Sequence, residues 1–403
     1  MNIRKTFETD SYAKALKADV LKAYTLGGRH CAVLSDTVLF PEGGGQPSDS
    51  GKIGRANVTE VIHQDGEIVH ILDKPVEVGP TEIELDWFRR FDHMQQHTGQ
   101  HLLTAIAHDC FGWATTAFHL GPSVCDIELS APKISTLQRY ELEEKVIEEI
   151  SAARPIRVSW ATQEEYASMN VRSRGLPDGH RGDVRLVEIV GLDVNTCGGT
   201  HLASTLELEC VKLLSSEPIR GGTRLHFIFG RRVRERLEAH EQRNHELRIL
   251  LGRPDEGLAE SVELHLESEK EMERQLRHAG EELASLYAKL LAAQGGRGQG
   301  GLVCHHFENK DAAFLQKVAR NLLEADSGAL AFLTAEKNGS GFFSLAAGSN
   351  CRADVPSLGR EIASILGGKG GGSGSGKQFQ GKFSSLGNLG EAVERLAASF
   401  PKP

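Results

Sequence analysis

Short apolar runs separated by turn residues mark the first part of the chain. From about residue 20 to 88, apolar residues alternate with polar ones or form short runs, as in half-buried or buried strands. Gln64-Asp65-Gly66 is typical of a hairpin turn. Strands are predicted at residues 31–34, 37–40, 57–62 and 67–72. Short strands joined by tight turns predict a small β-barrel.

The hydrophobic period then changes to that of helices. Residues 92–108 form a predicted helix with a mixed face, and residues 135–153 form an amphipathic one. Ser135 followed by Gln138 fits a capping box at the start of the second helix. The apolar residues of that helix lie mostly on one side: Leu137, Leu142, Val146 and Ile150. Strands are predicted at residues 184–189 and 206–214, and residues 221–227 end the domain.

Residues 231–294 are highly charged and helical in pattern. Gly252-Arg253-Pro254 interrupts them, and because proline disfavours a continuous helix, we expect a two-helix arm. Apolar residues of the second helix follow alternating spacings of four and three, as in a coiled-coil seam: Met272, Leu276, Ala279, Leu283, Leu286 and Leu290. A packed hairpin and a dimer interface both fit such a seam, so we expect a monomer or a homodimer through this arm.

The C-terminal part follows a glycine-rich linker at residues 295–301. Strand patterns at residues 301–304, 329–334 and 342–348, with a helix pattern at 311–325, predict an α/β domain. Residues 367–382 are rich in glycine and contain three lysines, Lys369, Lys377 and Lys382. Backbone amides and lysines of such a loop can line a phosphate backbone, whereas the composition alone is equally typical of a disordered linker.

Together these patterns predict an α+β multidomain protein with four parts. They are a β-barrel domain with a glycine-rich loop at residues 1–88, an α+β domain at 89–232, a helical hairpin or coiled-coil arm at 233–295 and an α/β domain at 296–403.

Composition and charge narrow the classes of function. With 403 residues, 39% hydrophobic and 25% charged, the chain has the composition of a globular protein of two to four domains. A formal net charge of -9 argues against a generic nucleic-acid binder, so any contact with RNA must come from local patches. Seven scattered cysteines indicate a reducing compartment. The sequence has neither a signal peptide nor an apolar run of membrane-spanning length, so we expect a cytoplasmic protein without membrane contact.

Candidate metal ligands occur in two pairs. His97 and His101 are four residues apart, so on a helix both imidazoles face the same point. Cys197 and His201 flank two glycines, which favour a tight turn. A histidine pair is often a solvated face and a lone cysteine is usually a small buried residue. Both pairs in one chain favour a zinc site.

Three consecutive glycines lie inside the predicted barrel, in the segment 41–47, Pro-Glu-Gly-Gly-Gly-Gln-Pro. Such a run does not form a strand interior, and the strand-helix context of a phosphate loop is missing. From the residues alone, a barrel corner and a functional loop are equally consistent.

The segments His97-Thr98-Gly99-Gln100-His101-Leu102-Leu103 and Cys197-Gly198-Gly199-Thr200-His201 resemble the two motifs of the editing domain of alanyl-tRNA synthetase and of the free-standing AlaX alanyl-tRNA editing proteins. The resemblance implies zinc bound by both pairs, with His93, one turn before His97, left outside the ligand set. It also implies that the loop containing Gly44, Gly45 and Gln46 leans over the zinc and contacts the substrate. Thr37 is implied as a second substrate-facing side chain. The implied catalytic residues are Thr37, Gln46, His97, His101 and Cys197; the implied zinc ligands are His97, His101, Cys197 and His201.

Two further segments resemble RNA-contacting parts of the same family. Gly221 to Phe227 is similar to the Gly-x-Arg-Arg-Ile segment that ends the synthetase editing domain, with Leu225 where a second arginine is common. Residues 367–372 are similar to a glycine loop in the C-terminal domain of alanyl-tRNA synthetase. The implied tRNA contacts are Arg224, Lys369, Lys377 and Lys382.

The order of the four parts resembles the back half of an alanyl-tRNA synthetase, so we do not expect ATP-dependent aminoacylation. The resemblance implies zinc-dependent hydrolysis in trans of tRNA(Ala) mischarged with serine, and more weakly with glycine, as in a long-form AlaX protein. A zinc-dependent hydrolase of small esters or amides and a non-catalytic tRNA-binding protein with structural zinc are the alternatives. Either three or four protein ligands for the zinc fit the sequence.

Overall fold

The computed structural model describes residues 4–169, 171–172, 182–294, 301–372, 374–383 and 387–399. Contacts divide the chain into two compact units, Met1–Glu246 and Leu247–Pro403. Among the residues described, no helix is both long and apolar enough to cross a membrane.

The N-terminal part of the first unit is a closed β-barrel. A short helix, α1 (Thr6–Thr9), precedes its strands. The strands are β1 (Ala15–Leu26), β2 (Arg29–Leu34), β3 (Gly51–Ile53), β4 (Ala56–Gln64), β5 (Glu67–Leu72) and β6 (Gly79–Leu85). They pair in the order β1-β2-β5-β4-β3-β6, and β1 closes the barrel against β6. The predicted barrel is confirmed, and so is the turn at Asp65-Gly66, where φ angles of 51° and 80° suit a tight hairpin.

Residues 37–40 do not form the predicted strand. They are buried in the barrel core, but side chains bond their amides in place of a neighbouring strand. Asp36 Oδ1 accepts the N–H of Thr37 at 2.7 Å, and Asp49 Oδ2 accepts that of Phe40 at 2.6 Å. Because these carboxylates satisfy the backbone donors, the apolar run is buried without joining a ladder.

An α+β part follows in the same unit. Its elements are α2 (Trp87–Phe111), β7 (Thr115–His119), β8 (Cys125–Leu129), α3 (Thr136–Ser151), β9 (Ile156–Ala161), α4 (Gln163–Ser168), β10 (Val184–Ile189), β11 (Asp193–Thr196), β12 (Val211–Ile219) and β13 (Gly222–Phe229). One sheet has the order β11-β10-β9 and the other β12-β13-β8-β7. The capping box of Ser135 and Gln138 at the start of α3 is confirmed. Leu142, Val146 and Ile150 share the buried side of α3, whereas Leu137 is exposed, so the predicted apolar side holds for three of its four residues.

The strand predicted at residues 206–214 begins only at Val211. A 3-10 helix, Thr205–Leu208, occupies its first part. The hydroxyl of Ser204 accepts the N–H of Leu206 at 3.2 Å, and Glu209 has a positive φ of 62°. This capped turn overrides the alternation of apolar and charged residues.

Two long helices, α5 (Arg231–Leu251) and α6 (Leu258–Gln294), flank the predicted break at Gly252-Arg253-Pro254. Glu246 in α5 is the last residue of the first unit, and α6 lies wholly in the second. The predicted linker at residues 295–301 lies outside the described residues except for Gly301.

The second unit contains a five-stranded mixed sheet. Its elements after α6 are β14 (Leu302–Glu308), α7 (Ala312–Ala325), β15 (Leu330–Lys337), β16 (Ser340–Ala347), α8 (Val355–Ile365), β17 (Lys369–Gly372), β18 (Gln378–Phe383) and α9 (Leu389–Ala398). β14 pairs in parallel with β15, and the remaining neighbours are antiparallel. The strands predicted at residues 301–304, 329–334 and 342–348 and the helix at 311–325 correspond to β14, β15, β16 and α7, but only one strand pair of the sheet is parallel.

The side of α6 that packs in this unit is not the predicted seam. Ala284, Ala288 and Leu291 are buried in a cluster with residues of α7 and the sheet. Met272 and Leu276 on the seam are exposed. A homodimer through the arm stays a prediction.

Part of the glycine-rich C-terminal segment is a β-hairpin formed by β17 and β18. A Cβ on Gly370 would lie 2.5 Å from the carbonyl oxygen of Gln380, and one on Gly381 would lie 2.3 Å from that of Lys369. Glycine is therefore required by close backbone approach. A disordered linker is excluded for these two strands, and Ser373 between them lies outside the described residues.

Candidate metal centre

Four side chains from two distant segments meet in the first unit. His97 and His101 lie on successive turns of α2, and Cys197 and His201 lie in the segment that follows β11. One ligand atom from each of these residues lies within 4.8 Å of the others. The two pairs predicted from sequence spacing therefore form one cluster that can hold a metal ion.

The spacing of the donor atoms suits a small tetrahedral ion. Cys197 Sγ lies 3.4 Å from His97 Nε2 and 3.2 Å from His201 Nε2. Usual zinc bond lengths at a tetrahedral angle place sulfur and nitrogen ligands about 3.6 Å apart. Three imidazoles with one thiolate are also a donor set that zinc prefers. His93 is not part of the cluster found among the described residues.

Gln46 orients His97 from the barrel side. Its Oε1 accepts a hydrogen bond from His97 Nδ1 at 2.9 Å and from the N–H of Thr200 at 3.0 Å, and its Nε2 donates to the Thr200 hydroxyl at 2.9 Å. Because the amide oxygen only accepts, Nδ1 of His97 carries the proton and Nε2 keeps its lone pair for a metal. Gln46 thus links the glycine loop of the barrel to both ligand segments.

Thr98 holds the second ligand segment in a similar way. Its hydroxyl lies 3.2 Å from His201 Nδ1 and accepts the N–H of Leu202 at 3.1 Å. Because α2 carries both Thr98 and the histidine pair, the helix positions three of the four candidate ligands.

The two glycines of the Cys-Gly-Gly-Thr-His segment are not equivalent. A Cβ on Gly199 would lie 2.3 Å from His97 Cε1 and 2.8 Å from Gln46 Oε1. A Cβ on Gly198 would meet nothing within 4 Å. The close approach of the backbone to His97 therefore requires glycine only at position 199.

Arg185 on β10 forms hydrogen bonds to the segment that carries Cys197 and His201. Its Nη1 donates to the carbonyl oxygens of Cys197 and Gly199, at 2.6 and 2.9 Å, and its Nε donates to that of Glu8 at 3.2 Å. Its side chain is buried, so these bonds fix the path of the chain between the two ligands.

Burial governs the protonation of the four candidate ligands. It lowers the pKa of His101 to about 4 and holds the pKa of His97 and His201 well below the usual range. The three imidazoles are therefore neutral at pH 7, which is the form that binds metal. Burial also raises the pKa of the Cys197 thiol, so a thiolate here requires a cation beside it.

A pocket of about 330 Å³ lies beside the cluster. His97, His101 and Cys197 line it, whereas His201 is buried and is not part of the wall. The other walls combine the ring of Phe118 with polar side chains: Gln100, Thr104, Thr115, Asn195 and Thr196. A small polar group therefore has access to three of the four candidate ligands.

The glycine loop reaches this pocket at one residue. Gly44 and Gly45 have positive φ angles of 60° and 82°, which form a tight turn closed by reciprocal backbone bonds between Gly43 and Gln46. Gly44 lines the pocket. A Cβ on Gly45 would lie 2.6 Å from the ring of Phe118. Substrate contacts by these glycines and by Gln46 stay predictions.

Thr37 lies in the barrel core and not on the wall of the pocket. Its hydroxyl lies 3.0 Å from His70 Nε2 and accepts the N–H of Leu39 at 3.0 Å. His70 Nδ1 lies 3.2 Å from the carbonyl oxygen of Ala32, so Nδ1 carries the proton and the Thr37 hydroxyl donates to Nε2. A role of Thr37 in substrate recognition stays a prediction.

Of the four predicted tRNA contacts, Arg224 lies in the first unit and the three lysines lie in the second. Arg224 on β13 is surrounded by carboxylates of Glu128, Glu217 and Asp126 at 2.6, 3.2 and 3.4 Å. Any phosphate contact by Arg224 requires exchange of one of these ion pairs.

The three lysines lie in the C-terminal domain. Lys369 and Lys382 are direct neighbours across β17 and β18, and Lys377 donates to the carbonyl oxygen of Cys351 at 2.7 Å. Like charges directly opposite one another disfavour strand pairing unless an anion lies near them. The pair Lys369 and Lys382 is therefore a suitable anion contact.

Sequence reasoning missed a polar group on the pocket wall. Gln100 Nε2 donates to the Thr104 hydroxyl at 2.8 Å, and the Thr115 hydroxyl donates to the same oxygen at 3.0 Å. Gln100 Oε1 is buried and has no hydrogen-bond partner among the described residues. Gln100 and Thr104 follow His97 by three and seven residues, so helical spacing carried a signal for both.

The family described as the threonyl and alanyl tRNA synthetase second additional domain matches residues 184–225, which contain Cys197 and His201. A protein of Danio rerio named alanyl-tRNA editing protein Aarsd1 is 36% identical over 356 residues, 88% of this chain and 84% of its own length. Its namesake from Mus musculus is 34% identical over 406 residues, 96% of each chain.

The similarity extends to full synthetases. An alanine–tRNA ligase of Ignicoccus hospitalis is 30% identical over 385 residues, which are 92% of this chain and 40% of the ligase. The two editing proteins match nearly the whole chain at over 30% identity. The chain therefore belongs to the family of alanyl-tRNA editing proteins.

Proposed function

We propose that this protein is a trans-editing deacylase that hydrolyses the ester of tRNA(Ala) mischarged with serine, with glycine as a second and weaker substrate. Zinc is part of the proposal: His97, His101 and Cys197 bind it firmly, and His201 binds it more weakly or exchanges with water or substrate. Membership in the alanyl-tRNA editing family supports the reaction class, because editing of an aminoacyl-tRNA is hydrolysis of its ester.

One observation carries this proposal. Three of the four candidate ligands line a pocket of about 330 Å³, which is large enough for a small aminoacyl group. A purely structural zinc site is closed, whereas a catalytic one keeps access for substrate and water. The open side of the cluster at His97, His101 and Cys197 favours catalysis over a structural role.

The chemistry divides between the metal and the chain. When bound, zinc supplies Lewis acidity, which polarises an ester carbonyl and acidifies water. Gln46 and Arg185 hold the ligand segments in place, and Phe118 covers one side of the pocket. In the reaction water adds to the ester carbon, the bond to the ribose oxygen breaks and that oxygen takes a proton, which releases serine and tRNA.

Selection of serine over alanine requires a partner for the seryl hydroxyl. Thr37 is the predicted partner, although its hydroxyl lies in the barrel core against His70, whereas the hydroxyls of Thr104 and Thr115 lie on the pocket wall itself. A buried polar group left unpaired by alanine costs on the order of 1–3 kcal/mol, which corresponds to a discrimination of about 5- to 150-fold.

The proposed tRNA contacts are Arg224 in the first unit and Lys369, Lys377 and Lys382 in the second. The direct pairing of Lys369 with Lys382 supports an anionic partner for the C-terminal hairpin. Contacts of this type position the phosphate backbone and carry no base specificity.

The experiment is hydrolysis of seryl-tRNA(Ala) beside alanyl-tRNA(Ala) by the wild type and Cys197→Ala, with zinc content measured on the same samples. We expect selective loss of the seryl ester with the wild type, and loss of both metal and activity in Cys197→Ala. An intact seryl ester with zinc fully bound would contradict the proposal and favour a tRNA-binding protein with structural zinc. Rapid turnover of free seryl esters, with no gain from tRNA, would instead favour a hydrolase of small esters.

A further inference from the structure

A groove of about 670 Å³ lies where the start of α2 meets α5, away from the residues that line the pocket. Arginine side chains dominate its charged lining. Two carboxylates, Asp92 and Glu235, face five arginines: Arg89, Arg231, Arg232, Arg236 and Arg243. The groove therefore carries an excess of three positive charges in a chain whose formal net charge is -9.

The floor of the groove is built on a buried ion pair. Arg232 Nη2 and Nε lie 2.7 and 2.8 Å from the two carboxylate oxygens of Asp92, and Nη1 donates to the carbonyl oxygen of Gly121 at 2.8 Å. Both charges of this pair are satisfied, so it holds α5 against α2 without contributing net charge. The junction that shapes the groove is thus fixed.

One side of the groove is an aromatic and charged wall. The guanidinium of Arg231 lies 5.3 Å from the centroid of the Phe88 ring, and its Nε lies 2.6 Å from Glu235. Phe88 is 73% exposed although it is large and apolar. Exposed aromatic rings beside arginines are a common surface for nucleic acids.

The remaining positive charge comes from exposed arginines. Arg236 and Arg243 are seven residues apart on α5 and face the groove on the same side of the helix. Within the described parts of the chain, no carboxylate lies within 4.0 Å of either guanidinium. Two unpaired guanidinium groups beside a concave surface match the geometry of phosphate oxygens.

The distance between the groove and His97 indicates which part of a tRNA would bind in the groove. Arg89 and His97 are eight residues apart on α2, which places them about 12 Å apart along the helix axis. Successive phosphates of a stacked strand advance about 3.4 Å each along the axis, so this separation corresponds to three or four nucleotides. We propose that the groove binds the phosphate backbone of the acceptor end of tRNA, whose esterified 3′ nucleotide occupies the pocket at His97. This inference rests on the proposed function.

The test is equilibrium binding of Arg236→Gln/Arg243→Gln to two uncharged RNAs, a tRNA(Ala) transcript and a minihelix of its acceptor stem. The matched control is Arg220→Gln/Arg234→Gln, which removes two exposed arginines outside the groove. We expect the groove variant to bind both RNAs at least about tenfold more weakly. We also expect binding of the groove variant to depend less on salt. The magnitude of the slope of log K against log salt should decrease by about 1.4 to 1.8, because each of the two lost phosphate contacts contributes about 0.7 to 0.9. The control variant is expected to bind as the wild type does.

Three outcomes would overturn the inference. The groove variant could bind RNA with the affinity and salt dependence of the wild type, or the control variant could lose as much affinity as the groove variant does. The groove variant could also bind the tRNA(Ala) transcript more weakly but the acceptor-stem minihelix as tightly as the wild type does. Arg236→Lys/Arg243→Lys provides a second variant that keeps both charges, and it should restore most of the affinity. If affinity falls together with the melting temperature and lysine restores neither, the groove has only a structural role. Hydrolysis of seryl-tRNA by the wild type is measured separately. Absent hydrolysis with weakened binding in the groove variant would refute the proposed function and leave the RNA site standing.

Discussion

The amide oxygen of Gln46 lies 2.9 Å from Nδ1 of His97, so a residue of the barrel loop sets the tautomer of a candidate metal ligand on α2. This bond joins two parts of the chain that are 51 residues apart. A hydrogen bond to the distal nitrogen fixes the ring and raises its basicity toward a metal. The barrel is therefore part of the candidate metal centre and not only a neighbouring domain.

Gln46→Leu should weaken zinc binding about ten- to a hundredfold, because His97 loses the acceptor that orients it. The measurement is competition for zinc with a chelator of known affinity. Gln46→Glu is the matched variant, since its carboxylate still accepts from His97 and from the N–H of Thr200, and we expect its affinity to stay closer to that of the wild type. Equal affinity of Gln46→Leu and the wild type would show that the bond does not act on the metal.

Gly199→Ala should remove zinc and reduce deacylation by more than about tenfold, whereas Gly198→Ala should change neither strongly. A methyl group at position 199 would lie 2.3 Å from His97 Cε1, and one at position 198 would meet nothing within 4 Å. Overlap of that size forces the ligand segment away from α2. Metal-to-protein ratios and initial rates of both variants check this, and identical behaviour of the two glycine variants would contradict it.

The ligand set could be predicted from sequence because each half of it is local. Residues i and i+4 of a helix share a face, so the spacing of His97 and His101 predicts a pair of ligands before the fold is known. The meeting of this pair with Cys197 and His201 is a long-range contact, and the resemblance of both motifs to one family supplied it. The structure then adds Arg185, which no local pattern marks, because an arginine within a strand usually faces solvent.

Other parts of the fold depend on acceptors that are distant in sequence. The run at residues 37–40 has the pattern of a strand, yet Asp49, nine residues further on, accepts the N–H of Phe40. β1 was not predicted because most of its residues are partly or fully exposed and it lacks an apolar run. The arginine groove was missed for a related reason, since charged residues along α5 look like an ordinary solvated face until Arg89 and Asp92 of α2 lie opposite them.

Thr37→Val should lower the preference for the seryl over the alanyl ester, because valine keeps the shape of threonine and removes the hydroxyl. Thr104→Val is the comparison, since it makes the same change on the pocket wall. The measurement is the ratio of kcat/KM for seryl-tRNA(Ala) and alanyl-tRNA(Ala) in both variants. An unchanged ratio in Thr37→Val with a reduced ratio in Thr104→Val would assign the discrimination to the wall and remove Thr37 from the substrate site.

His70 should make the barrel sensitive to acid. Burial lowers its pKa from 6.5 to about 4, while its two ring nitrogens contact Thr37 and the carbonyl oxygen of Ala32. Above pH 6.5 the residue is neutral in both folded and unfolded chains and has no effect on pH dependence. Between pH 6.5 and 4 the unfolded chain binds a proton that the folded chain does not. The free energy of unfolding therefore decreases as the pH is lowered through this range, by up to about 3 kcal/mol in total.

His70→Gln isolates this effect, because glutamine can still donate to Ala32 and accept from Thr37 but does not titrate in this range. Chemical unfolding of both proteins at pH 7, 5.5 and 4.5, followed by a probe in the barrel, measures the difference. We expect the wild type to lose stability relative to His70→Gln by up to about 1.4 kcal/mol per pH unit below 6.5, with parallel behaviour above it. Parallel curves over the whole range would show that His70 titrates normally in the folded barrel, and its burial would then have no effect on acid stability.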